Sequence, residues 1–378
     1  MKLEQQIFDP AKAEGWRICS GSVSGIKPQL VLVFGDRLLL EKGTGLDEIR
    51  KLYPGAQVLA GSTSGEITST EVSEGRLVAT AIQLEKSRVA CASARIDAVA
   101  ESYHAGSELA RRLSGPELAH VFVVSDGQRV NGTELARGFN EHLPPGARLS
   151  GGLAGDGARF ERTVVGLDET PAPGRIVAVG FYGSALRFGS GSAGGWHEFG
   201  PERQVTRAAN NTLFELDGQP ALHLYKRYLG DQAANLPGSA LRFPLSVKPR
   251  DADHPVVRTI LSIDEKSEGM TFAGDIPEGA SVRFMRASYE DLIDGAGQAA
   301  DQTLTNAPAE LALCVSCVGR RIVLGQRTEE ETENVRSVVG AQAMLAGFYS
   351  YGELAPAGGA AACQLHNQTM TITTLREE

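Results

Sequence analysis

The stretch "QLVLVFGDRLLLEKGTGLDEIRKLYPGAQVLAGSTSGE", residues 29–66, begins as an unbroken apolar run. It passes through an amphipathic segment at 46–54 and returns to a second apolar run ending in Gly65-Glu66. Runs such as VLVF suit strands covered on both faces, as crossover helices cover them. The same order recurs twice. "AHVFVVSDG" (119–127) leads to "GTELARGFNEHLPP" (132–145) and "GARLSGGLAGD" (146–156). "ELALCVSCVG" (310–319) leads to "EEETENVRSVV" (329–339) and "GAQAMLAGFYSYGE" (340–353). Each copy reads strand, helix, Gly-Ala, strand, then a loop closing on Gly-acid, with Glu66, Asp156 and Glu353 as the acids. The segments 88–127 and 281–319 extend the likeness upstream as strand, helix, strand.

The pattern predicts an α/β fold of mixed, largely parallel sheets with crossover helices and internally repeated βα units. Right-handed βαβ units place the strand C-terminal ends and their loops on one sheet edge, where ligands of open α/β sheets settle. Elsewhere the pattern changes. Residues 163–193 read as an antiparallel meander of three short strands joined by Pro and Gly turns. Residues 203–218 read as a hairpin, and 219–230 as a helix ended by Gly230. Strands follow in "VVRTILSID", "GMTFAGDI" and "ASVRFMRAS". The expected organisation is an N-terminal lead at 1–26 and two domains, 27–218 and 219–378, divided at the "LDGQP" turn.

At 378 residues, two domains is the natural expectation, and 42% hydrophobic with 22% charged residues supports ordinary cores. The net charge of −9 argues against nucleic-acid or anionic-membrane partners. Acids stand where a signal peptide needs an apolar run, and no apolar stretch is long enough for a bilayer, so a cytoplasmic protein without membrane insertion is expected. Five cysteines fit reduced, mostly buried thiols better than a disulfide scaffold.

Several motifs compete for a chemical role. Gly61-Ser62-Thr63-Ser64-Gly65 has nucleophile-elbow spacing, but an elbow needs a helix after the turn and "EITSTEV" is extended. "GSGSAG" (189–194) has dinucleotide-loop spacing without a following helix. Cys314-x-x-Cys317 and Cys363-x-x-His366 carry zinc ligands. Cys314 and Cys317 lie in an apolar strand, however, where an odd separation sends them to opposite faces. No catalytic residue and no metal site are therefore expected. The Gly-acid loops remain. Glycine-rich backbone forms an anion-binding nest, and an adjacent acid accepts from an ammonium or hydroxyl. The candidate ligand-binding residues are Ser62, Thr63, Ser64, Gly65, Glu66, Gly152, Asp156, Arg320, Tyr349, Tyr351 and Glu353, converging where loops 61–66, 151–156 and 349–353 meet. Two readings of the acids stand open, as ligand contacts or as caps that fix the turns. For Arg320 the alternatives are a carboxylate clamp or a buried ion pair. Asn210, Asn211 and Asn367 read as turn and edge residues.

The ordered set "VLVFGD", "GSTSGEI", "GGLAGDG", "VTRAANNTLFELDGQPALHLYKRYLG", "IPEGASV", "SCVGRRIVLG", "GFYSYGELAP" and "LHNQTMTITTL" resembles the FIST family of sensory proteins across residues 27 to 375. The resemblance implies an intracellular module that binds a small molecule, an amino acid or similar small polar metabolite, rather than an enzyme. It also implies output through a separate signalling protein such as a histidine kinase or cyclase, since the sequence carries no such segment. Some members of the family are haem-binding nitric-oxide sensors, so haem on His366 is an alternative, and an enzyme acting on a small polar substrate is another.

Overall fold

The structure is a computed structural model, and it describes residues 1–12, 15–21, 25–236, 238–252, 254–305, 307–356 and 362–378. The described residues form a mixed α/β protein with four β-sheets, three of six strands and one of eight. The helices are α1 (Arg37–Glu41), α2 (Leu46–Leu52), α3 (Ser102–Leu113), α4 (Gly132–Asn140), α5 (Ala221–Leu229), α6 (Tyr289–Asp301), α7 (Val318–Leu324) and α8 (Thr328–Val339).

Each six-stranded sheet holds one parallel pair. In the first sheet Leu30–Gly35 pairs with Gln57–Ser62, joined through α1 and α2. In the second, Leu118–Ser125 pairs with Arg148–Leu153 through α4. In the third, Leu311–Cys317 pairs with Met344–Ser350 through α7 and α8. Beyond the first strand of each pair lie two antiparallel strands, with Trp16–Ser20 as a third in the first sheet. These are Leu77–Gln83 then Lys2–Phe8 in the first sheet, Arg175–Tyr182 then Arg88–Arg95 in the second, and Met370–Glu377 then Leu186–Ala193 in the third.

The strands after each second parallel strand leave for a different sheet. The hairpin Glu66–Thr68/Glu71–Ser73 pairs with Met344–Ser350 in the third sheet. Val165–Leu167 pairs with Gln57–Ser62 in the first. Gly352–Pro356 and Cys363–His366 add to Arg148–Leu153 in the second. The exchange is cyclic, so each sheet is completed by another sheet's chain segment.

Alternation along the strands explains the unbroken apolar runs. Leu30, Leu32 and Phe34 point into a core that also contains Phe122, Val124, Val177, Val179, Leu313, Val315 and Phe348, contributed by all three sheets. The rings of Phe34 and Phe348 lie 4.5 Å apart across it. Val31 and Val33 point outward onto Leu40, Leu46 and Ile49 of α1 and α2. The second sheet's outer face buries α3 and α4, and the third's buries α6 and α8. At Gly189 and Gly191 a Cβ would come within 2.2 and 2.0 Å of the Thr303 and Ala299 carbonyls. Here "GSGSAG" is therefore strand backbone lying directly against the end of α6.

Two expectations are corrected. The sheets are largely antiparallel, with only the three helix-linked pairs parallel among the described residues. The apolar runs are covered on both faces because a shared three-sheet core takes the inner one, a cause that periodicity does not separate from parallel pairing. Residues 163–193 are not a meander. Val165–Leu167, Arg175–Tyr182 and Leu186–Ala193 lie in the first, second and third sheets, and turns at Gly174 and Gly183, both at positive φ, pass the chain between sheets.

The eight-stranded sheet lies outside this body. Its strands run in the order Val256–Arg258, Leu245–Lys248, Ser281–Arg286, His197–Ala209, Thr212–Leu216, Gly269–Phe272, Ile260–Asp264, with Gln219–Pro220 paired to Thr212–Leu216. The expected hairpin and the helix stopped at Gly230 are both present, and α5 buries Leu222, Leu224 and Tyr225 against Phe272 and Phe284. Lys2–Phe8 and Trp16–Ser20 belong to the first sheet, and chain from both sides of residue 218 shares the second and third sheets.

Candidate functional site

The three Gly-acid corners meet. Gly155 and Gly157 donate their N–H groups to Ser62 O and Thr63 O at 3.0 and 3.1 Å. Ser64 N–H donates to Tyr349 O and Tyr349 N–H to Gly65 O, both at 2.8 Å, and Tyr351 N–H donates to Leu153 O at 3.0 Å. A Cβ on Gly155 would sit 2.2 Å from Ser64 Oγ, so the corners interlock at van der Waals distance.

Their side chains turn on one another. Ser62 Oγ accepts from Val164 N–H at 3.0 Å, and Ser64 Oγ donates to Gly157 O at 2.9 Å. Glu66 is fully buried and accepts from Thr63 Oγ1 (2.7 Å) and Ser73 Oγ (3.1 Å). Glu353 has the same arrangement, accepting from Ser350 Oγ (2.7 Å) and Thr369 Oγ1 (3.0 Å). Burial pushes both carboxyls up to about 8, against the downward pull of the hydroxyls and of Arg321 or Arg320. Asp156 accepts from Phe160, Glu161 and Arg162 N–H groups and from the Tyr351 hydroxyl, with Arg37 Nε 3.6 Å away. Its role is to cap the loop 157–162. A Cβ on Gly152 would stand 2.6 Å from Val315, so this residue faces the core.

Arg320 is a buried structural hub. It bonds Glu331 through Nε and Nη2 (3.0 and 2.7 Å), and it donates to Gly194 O at 2.7 Å and Leu292 O at 2.6 Å. Tyr349 Oη donates to the same Glu331 at 2.5 Å. The buried-ion-pair reading of Arg320 thus describes its surroundings, with Glu331 of α8 as the partner rather than a corner acid. Arg321 reaches the first corner instead, donating to Ser64 O at 2.6 Å and pairing with Glu74.

Open space lies beside the third corner. A cleft of about 810 Å³ separates the second sheet's edge and the N-terminus of α4 from the eight-stranded sheet. One wall carries Gly127, Gln128, Val130, Asn131, Glu134, Leu153, Phe160 and Tyr351. The other carries Asn210, Asn211, Thr259, Leu261, Phe272 and Asp275. Cys317, Val318, Gly319, Leu365 and Asn367 also line it. Phe160 stacks on Tyr351 with ring centroids 4.6 Å apart, and Phe160 holds φ +54. A positive φ is strained for a bulky side chain and persists only where neighbours over-determine it. Here Asp156 and the Tyr351 hydroxyl both accept from Phe160 N–H.

Of the predicted residues the cleft takes Tyr351 alone, with Asp156 one bond behind it. Ser62, Thr63, Ser64, Gly65, Glu66, Gly152, Arg320, Tyr349 and Glu353 lie off its surface. Asn210 holds the left-handed turn expected of it (φ +51), yet Asn210, Asn211 and Asn367 all face the cleft. Val99, Phe160 and Leu261 carried no sequence signal. Their exposure at the cleft mouth (51, 41 and 45%) is what marks them.

His366 is buried in the strand Cys363–His366, its Nε2 donating to Ala355 O at 3.0 Å, and burial lowers its pKa to about 4. A nitrogen committed in this way does not fit an axial haem ligand in this arrangement. Cys314 packs among the third sheet's helices while Cys317 faces the cleft, as odd spacing requires. The five thiols are unbridged, and Cys314, Cys317 and Cys363 are buried.

The FIST N domain model matches residues 29–219 and the FIST C domain model matches residues 221–356. The chain belongs to the FIST family. FIST domains are sensory domains for small ligands rather than catalytic ones, which supports a sensory role. No curated protein matches the chain. Among the described residues no helix is long and apolar enough to cross a membrane.

Proposed function

We propose that this protein binds a small metabolite, an amino acid or a compound of that size and polarity, in the cleft between the second sheet and the eight-stranded sheet. It does so without turnover, in the cytoplasm, and a separate signalling protein such as a histidine kinase or cyclase reads the outcome. The observation that carries this reading is the cleft itself, of ligand-binding volume, with an aromatic pair on one wall and a buried acceptor, Asn367 Oδ1, that has no partner among the described residues. A ligand touching both walls favours the arrangement in which they are closest, and it shifts that population by its differential affinity. Among the corner residues, Tyr351 touches the ligand and Asp156 holds it in place. The others brace the corner behind them.

The reading is tested by a thermal-shift screen of amino acids and metabolites on the wild type and on Phe160→Ala. A ligand at a hundred times its Kd stabilises the folded state by about 2.7 kcal/mol. The expected result is a rise in Tm that Phe160→Ala abolishes. A ligand that raises Tm equally in Phe160→Ala and Leu261→Asp binds elsewhere and ends the proposal.

The same proposal treats the three parallel pairs as copies of one βα unit. Their equal strand order, each with a helical crossover and a departing segment, supports that descent.

A further inference from the structure

We infer that the cleft selects its ligand through a hydrogen-bond-donating, positively charged head, an amine or amidine, whose apolar body lies on Phe160 and Tyr351. This rests on the cleft being the ligand site. The argument comes from which ends of the asparagines are already used. Asn367 Nδ2 donates to His366 O at 2.9 Å, and Asn211 Nδ2 donates to Phe272 O at 2.8 Å. Turning either amide over would set oxygen against a carbonyl, so both orientations are fixed by their surroundings. Asn131 Nδ2 donates to Asp275 Oδ1, and Asn131 Oδ1 accepts from Glu134 N–H. Gln128 and Asn210, exposed on the cleft walls, can donate or accept, whereas the buried and half-buried inventory is acceptors: Asn367 Oδ1, without a partner among the described residues, Asn211 Oδ1, and the Asp275 carboxylate. Thr259 Oγ1, also buried and without a partner among the described residues, serves as either.

Charge points the same way. Among the described cleft-lining residues the charged side chains are Glu134 and Asp275. The cation Arg258 is buried behind the wall. It donates to the carbonyls of Asp275, Leu365 and Val257 at 3.2, 3.0 and 3.2 Å. The positive end of α4 is already met by Asn131 Oδ1, with Glu134 in its first turn. Arg137 already pairs with Glu134 through Nε and Nη2 (3.2 and 2.5 Å), so an anionic head would face the Asp275 carboxylate and no cationic side chain on the described lining, while a cationic one finds acceptors and an aromatic face.

The test uses three probes that share one ring: 2-phenylethylamine, L-phenylalanine and phenylacetate, titrated calorimetrically into the full chain. The amine is expected to bind at least tenfold tighter than phenylacetate, with phenylalanine between them. Asn367→Leu is expected to weaken the amine about tenfold by removing its buried acceptor. Because that variant sits in the core, Asp275→Asn, on a partly exposed loop, provides a second arm and should narrow the gap between amine and anion. Phenylacetate binding as tightly as the amine, with loss in Phe160→Ala, overturns the donor rule and leaves the cleft as the site. Full amine affinity in both Asn367→Leu and Asp275→Asn also overturns it. If none of the three probes binds, the donor rule fails, and the cleft reading is decided by whether hits from the metabolite screen disappear in Phe160→Ala.

Discussion

Replacing Glu66 by Gln should change how the protein's stability depends on pH. The carboxyl sits in the first corner with only the Thr63 and Ser73 hydroxyls to satisfy it, and its nearest charges are Arg321, which favours ionisation, and Asp36, which opposes it. Burial raises its folded-state pKa from 4.5 to about 8. A folded pKa above the unfolded one means the folded state favours the proton. The stabilisation is fully present below about pH 4.5 and is lost as pH rises through about 8. At about 1.4 kcal/mol per pH unit, the whole window is worth roughly 5 kcal/mol for this one group. Gln keeps the shape and an acceptor for Thr63 but does not ionise. The variant should match the wild type near pH 5 and exceed it by roughly 3 kcal/mol at pH 7. Urea unfolding at half-unit steps from pH 5 to 8.5 measures the difference directly. Glu353 carries the same shift, while the buried His120 and His366, held low at about 3 and about 4, oppose both carboxyls below about pH 6.5; above that pH Glu66→Gln should remove about half of the fall that the two carboxyls impose. Parallel curves for variant and wild type would refute the reasoning, because they would mean that the buried carboxyl titrates normally.

Other outcomes follow from the same geometry. Arg320→Met leaves Glu331 buried without its partner and should cost about 3–5 kcal/mol in urea unfolding, whereas Arg320→Met with Glu331→Leu should recover most of it. Gly155→Ala drives a methyl into Ser64 Oγ and Ser64 N, 2.2 and 2.9 Å away, and should cost about 1–3 kcal/mol by the same assay. Tyr351→Phe removes the hydroxyl that Asp156 and Phe160 share. It should loosen residues 157–162, read as faster amide exchange at Phe160, with the second sheet unchanged.

Local structure was legible in the sequence to the extent that it is local. The helix at 221–229 stops at Gly230, the Asn210-Asn211 turn closes its hairpin, and each apolar run is a strand, because capping, turn chemistry and patterning act over a few residues. Sheet membership is not local. Nothing within Glu66–Thr68 says that it pairs with Ala346–Phe348, or within Val165–Leu167 that it pairs with Leu59–Gly61. The Gly-acid corners were found because they repeat, and they do converge. Their carboxylates point into the protein because Thr63, Ser350 and Thr369 are there to receive them, a matter of side-chain direction that spacing does not encode. The cleft draws Phe160, Asn211, Asp275 and Asn367 from four separate stretches. Its donor and acceptor balance depends on carbonyls such as Phe272 O that become neighbours only in the folded chain.

The cyclic trade of segments among the three sheets has a consequence for synthesis. A ribosome delivers Lys2–Phe8 well before Met370–Glu377, yet the third sheet needs the latter strand, and the second waits for Gly352–Pro356. Until those arrive, the inner faces of Leu30–Gly35 and Leu118–Ser125 have no finished core to close against. The nascent polypeptide therefore emerges with sticky, half-assembled surfaces. Fragments cut at the junction of the two family segments should behave as mutually dependent halves that regain structure only on being mixed.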